Sequence, residues 1–199
     1  MDTTLLATKL QIPPQPHHAV QRARLTAALE QGISRYKLVL IAAPPGYGKT
    51  TFLAQWAHSS RFSIAWLSLS QEDNDLDRFL RYLLAGWQEI QPGISDSHLA
   101  LLLGSVSPDS QAVLSAFINA ANQTTGHLVF VLDDYHLIEE PSIHRALTFL
   151  LDHVPPMLHF VLAGRRRSML PLARYRAHHE LLEFRAEDLH FLPDETADF

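Results

Sequence analysis

Residues 37–51 read Lys-Leu-Val-Leu-Ile-Ala-Ala-Pro-Pro-Gly-Tyr-Gly-Lys-Thr-Thr. The apolar run Leu38 to Ile41 predicts a buried strand spanning Lys37 to Ala42. A loop rich in Pro and Gly follows at once, and a helix is expected from Lys49 to Ser59, with Phe52, Leu53 and Trp56 on its apolar face. A strand, a tight loop and a helix in immediate succession form a cradle for phosphate. Gly46 and Gly48 permit the positive φ angles that let backbone N–H groups curl around an anion. The helix start adds the positive end of its dipole.

The spacing is that of a Walker A site, G-x-x-x-x-G-K-[ST], with Ala43 at the first Gly position. Pro45, Gly46, Tyr47, Gly48, Lys49, Thr50 and Thr51 are therefore the expected nucleotide contacts. Lys49 would bring a point charge to the β- and γ-phosphates, and Thr50 a hydroxyl to Mg²⁺. Farther along, Leu128-Val129-Phe130-Val131-Leu132 reads as a central strand ending in Asp133-Asp134. Apolar residues followed by Asp form a Walker B pattern. Asp133 is the expected metal partner, and Asp134 stands where a carboxylate orients or deprotonates the attacking water. A further strand, Leu158 to Ala163, ends in Gly164-Arg165-Arg166-Arg167. In sheets of this class that strand usually lies between the Walker A and Walker B strands, so Arg165 is expected to face the γ-phosphate.

The remaining segments alternate in type. Helices are predicted for Val20 to Ile33, for a stretch from Asp73-Asn74-Asp75 to Pro92-Gly93, for Ser97 to Gly104, Asp109 to Asn122 and Ser142 to Val154, and after Pro171. The Asp73-Asn74-Asp75 triplet reads as an N-cap with an acidic first turn. Additional strands are predicted at Ile64 to Leu69 and, at an edge, Glu180 to Phe184. This pattern predicts an α/β fold, a three-layer sandwich of the P-loop NTPase type with a mostly parallel five-stranded sheet. Residues 1–18 read as an extended leader, 19–188 as the nucleotide-binding domain, and 189–199 as the start of a helical lid.

Composition excludes several other chemistries. The 199 residues are 47% hydrophobic with a formal charge of -5, which argues against a nucleic-acid surface on this segment. With no Cys there is no disulfide framework and no thiolate metal site. The twelve His residues, including the adjacent pairs His17-His18 and His178-His179, lack ligand spacing. No apolar run reaches membrane-spanning length, and a cytoplasmic setting is expected.

These residues together resemble the nucleotide-binding domain of the MalT-like regulators, ATP-dependent transcription activators of the STAND class, often with a LuxR-type DNA-binding end. The resemblance rests on Leu6-Ala7-Thr8-Lys9-Leu10, residues 20–25 (VQRARL), residues 43–51 (APPGYGKTT), residues 65–69 (AWLSL), Asp73-Asn74-Asp75 with Arg78-Phe79, residues 131–136 (VLDDYH) and residues 170–174 (LPLAR). It implies that Ala43 is ordinary at its position, that Val20 and Arg22 lie near the adenine, and that Arg165 occupies a sensor position, although Ala163-Gly164 precede it where the family usually has a Ser or Thr just before the Arg. It implies an ATP-binding, slowly hydrolysing switch that uses Mg²⁺. DNA would be contacted only through parts of a longer protein, which could also self-associate. A binding module without turnover and a small-molecule P-loop kinase are the alternatives.

Overall fold

The computed structural model describes residues 5–16, 19–96, 109–165 and 170–196. The expected helix from Ser97 to Gly104, together with His17, His18, Arg166 and Arg167, lies outside the described residues. Five strands form one sheet: β1 (Leu38–Ala42), β2 (Ser63–Ser68), β3 (Leu128–Asp133), β4 (Leu158–Gly164) and β5 (Leu181–Arg185). Their order is β2-β3-β4-β1-β5 and every pairing is parallel, so the sheet is wholly parallel rather than mostly so. β4 lies between β1 and β3, as expected, and β5 is an edge.

Helices cover both faces. On one side are α1 (Ala23–Ile33) and α2 (Lys49–Ser59); on the other are α3 (Leu76–Ile90), α4 (Ser110–Ala121), α5 (Pro141–His153) and α6 (Leu172–Ala177). The alternation within β3 explains the arrangement. Leu128, Phe130 and Leu132 enter one apolar core with Phe79, Trp87 and Phe117, whereas Val129 and Val131 enter a second with Leu29, Phe52 and Trp56. All six residues of β3 are buried, which is why its sequence is continuously apolar up to the final Asp133.

The leader is only partly extended, contrary to the sequence reading. Ala7–Leu10 forms a 3-10 turn that packs on β2 and α3. The Leu6 N–H donates to the Tyr82 hydroxyl at 3.0 Å. The Lys9 ammonium donates to Asp73 at 2.5 Å and to Ser70 Oγ at 2.7 Å. Asp73 therefore does not cap α3. It is fully buried, closes a capping box with Ser70 in the 3-10 turn Gln71–Asp73, and lies 3.5 Å from Arg78. The N-cap of α3 is Asp75, whose carboxylate accepts the Arg78 N–H at 2.8 Å.

A buried carboxylate that loses its cation is costly, so Lys9→Ala should lower stability by about 3 kcal/mol in urea unfolding. Arg61→Ala, which removes an exposed partner of Glu30, should cost less than about 0.5 kcal/mol in the same assay.

Candidate functional site

The carboxyl ends of β1, β3 and β4 meet on one edge of the sheet. The β1–α2 loop has left-handed backbone at Gly46 (φ 83°) and Gly48 (φ 70°). Nothing lies within 4 Å of where a Cβ would sit at either position, so the demand for glycine there is conformational, not one of space. Gly48 is the N-cap of α2 and offers no capping side chain, which leaves first-turn N–H groups of α2 for an anion. The Lys49 ammonium is buried and donates to the carbonyls of Ala43 at 2.9 Å and Pro44 at 3.0 Å. Burial lowers its pKa, while Asp134 and Asp133 act in the opposite sense.

Thr50 Oγ1 donates to Asp133 Oδ2 at 2.7 Å, joining the loop of β1 to the end of β3. Asp133 is 3% exposed. Burial raises its pKa, and the Thr50 hydrogen bond partly offsets that rise. Its other oxygen accepts the Asp134 N–H at 3.0 Å. Asp134 has φ 56°, in the left-handed region that costs a non-glycine residue of order 1 kcal/mol. Its carboxylate is half exposed and lies 3.7 Å from His136 Nδ1.

Arg165 is exposed at the end of β4, near enough to Lys49 to depress its pKa. The glycine before it has a steric cause. A Cβ on Gly164 would stand 3.2 Å from His136 Cβ and 3.3 Å from the His136 nitrogen. The turn after β3 crosses β4 so closely that a side chain there would require it to shift by a few tenths of an ångström.

Beside the loop is a cavity of about 770 Å³ with a mainly apolar lining, which includes Val20, Arg22, Gly46, Tyr47, Thr51 and Phe191. Val20 and Arg22 are thus in its wall. The Arg22 guanidinium is already engaged: it donates to the carbonyls of Leu189 at 2.9 Å and His190 at 3.1 Å, pairs with Glu195 at 3.3 Å and lies 4.4 Å from the Phe191 ring centroid. The cavity wall formed by Leu189, His190 and Phe191 was not foreseen from sequence, because backbone carbonyls leave no mark in side-chain identity. Pro193–Thr196 forms the short helix α7 expected to open there.

Asn74 also departs from the cap expected of the acidic triplet. Its side chain donates to the carbonyls of Gln71 at 3.0 Å and Leu137 at 2.8 Å, and accepts the N–H groups of Glu139 at 2.7 Å and Glu140 at 2.9 Å. It binds the segment after β3 and does not cap α3.

The description "AAA ATPase domain" matches residues 19–162. The chain belongs to the AAA ATPase domain family. Among relatives of this AAA ATPase domain, the HTH-type transcriptional regulator MalT of Klebsiella pneumoniae is 38% identical over 200 residues, covering 98% of this chain and 21% of the relative. MalT of Cronobacter sakazakii is 37% identical over 196 residues, with the same coverages. The chain therefore spans about a fifth of the length of the curated relatives it matches. The fold of this AAA ATPase domain is also that of Cdc6p from Pyrobaculum aerophilum, at TM-score 0.55 and 14% identity over 87% of this chain and 47% of that one. A Walker-type ATPase of Pyrococcus abyssi aligns at TM-score 0.54 and 14% identity, over 77% of this chain and 48% of that one.

The raised pKa of Asp133 carries a sign. The folded state holds that proton more tightly than the unfolded chain, so its ionisation weakens the fold as pH rises through the carboxylate range. Asn at this position removes that cost and still offers an acceptor to the Asp134 N–H. Asp133→Asn should therefore have a higher Tm than the parent at pH 7.5 in calorimetry, with the difference shrinking toward pH 4.

Proposed function

We propose that this chain is the nucleotide-binding module of a MalT-like transcription regulator, binding Mg-ATP and hydrolysing it slowly so that nucleotide state sets the state of a longer protein. The hydrogen bond from Thr50 to Asp133 carries the reading, because it brings the two motif ends together at the mouth of the phosphate loop. The loop N–H groups and Lys49 would bind the phosphates, and the apolar cavity bounded by Val20 and Arg22 would take the adenine. The donor set suits Mg²⁺, which is usually held by one or two protein oxygens together with substrate phosphates and waters. Thr50 and Asp133 would hold it, and when bound it neutralises charge on the transferring phosphoryl group. Asp134 would position the attacking water, and Arg165 would stabilise charge on the γ-phosphate. DNA contact and self-association would belong to other parts of the longer protein.

The short, half-exposed carboxylate of Asp134 also supports a second reading, a nucleotide-binding module without turnover. Phosphate release from Mg-ATP separates the two.

Lys49→Ala should weaken ATP binding by about a hundredfold or more in calorimetry, given the energy of a charge-assisted phosphate contact in a buried site. Unchanged affinity would remove the phosphate assignment. Asp134→Asn should bind ATP within about twofold of the parent and release phosphate roughly tenfold more slowly or worse.

A further inference from the structure

Three consecutive residues, Asp73, Asn74 and Asp75, have three separate partners. Asp73 is anchored below by Lys9 and Ser70. Asp75 caps α3. Between these two fixed points Asn74 reaches across to the segment that carries Asp134. That segment runs from Asp134 in left-handed backbone through the 3-10 turn Tyr135–Leu137 to the N-cap of α5 at Glu140. Within it, the Leu137 N–H donates to the Asp134 carbonyl at 2.9 Å. Asn74 takes hold at the other end of the same turn, at the Leu137 carbonyl and the Glu139 and Glu140 N–H groups. Left-handed backbone at a non-glycine residue persists only where its surroundings over-determine it. On the Asp134 side this comes from the Asp134 N–H bond to Asp133; on the far side it comes from the amide of Asn74.

We propose that Asn74 is a positioning residue for Asp134: its carboxamide fixes the turn after β3, and through it the backbone from which the Asp134 carboxylate reaches the water site. The inference rests on the reading of Asp134 as the residue that orients the attacking water. An amide suits the task because one planar group presents a donor to a carbonyl and an acceptor to two N–H groups. A carboxylate would keep the acceptor half only. It would lose the bonds to the Leu137 and Gln71 carbonyls and place a third negative charge beside Glu139 and Glu140.

The test compares Asn74→Ala and Asn74→Asp with the parent 199-residue chain, using ATP affinity, phosphate release and amide hydrogen exchange. In Asn74→Ala, ATP affinity should stay within about twofold and phosphate release should fall roughly tenfold, a usual scale for small misplacement of a reacting group. Amides of residues 134–140 should exchange faster while those of β1 and α2 stay unchanged. Asn74→Asp, which keeps the acceptor bonds but sets a charged oxygen against the Gln71 and Leu137 carbonyls, should be impaired at least as much as Asn74→Ala in both exchange and turnover. Unchanged exchange at residues 134–140, or faster exchange there with unchanged phosphate release, overturns the proposal. So does a matching loss of affinity, turnover and Tm, which is what mere damage to the fold would give. If the parent binds ATP without releasing phosphate, the hydrolysis reading fails together with this role in it. If the parent binds no ATP, the nucleotide reading itself fails.

Discussion

All five strands run the same way, and that direction places the site. A parallel strand must return through a crossover, so every strand hands its chain to a loop on the same edge of the sheet. Gly48, Asp133 and Arg165 are far apart in sequence, yet each follows or ends a strand pointing at that edge. Because β4 lies between β1 and β3, the three converge within one patch. The direct bond from Thr50 to Asp133 exists only because this order holds. The carboxylate it joins is otherwise unfavourable there, since burial opposes its charge.

Much of this was legible in the residues. The β strands were foreseen within a residue or so at most ends, because strands buried on both faces have continuous apolar runs that end sharply. α2 was placed from Lys49 to Ser59, since a glycine in left-handed backbone marks its start. What could not be read were contacts between segments distant in sequence. Lys9 and Asp73 are 64 positions apart, and no local pattern pairs a leader lysine with an acidic triplet. The triplet itself had a sound local reading as a cap. Tertiary structure kept that reading for Asp75 alone and gave Asp73 to a buried ion pair and Asn74 to a distant turn. Gly164 shows the same limit: its cause is the backbone of His136, visible only once the chain has folded.

The site also differs in firmness from one side to the other. Around the phosphate loop, the side chains of Lys49, Thr50 and Asp133 are held by hydrogen bonds to the loop and to the end of β3. The cavity beside it is built differently, from apolar side chains and from a segment that leaves the sheet after its edge strand. Its lining joins the leader side near Val20, the loop at Tyr47 and the exit segment at His190, three stretches meeting around one space.

Arg22 and Arg24 hold that exit segment by its main chain, at the carbonyls of residues 188–190. Every amino acid supplies the same carbonyl, so those three bonds do not depend on which side chains stand at residues 188–190. The side chains there answer to other neighbours: Leu189 is buried in the core, the His190 ring lies 5.6 Å from that of Tyr47, and Phe191 and Glu195 meet Arg22 itself. The arginines thus set the path of the backbone, while the core and the cavity set which side chains fit along it.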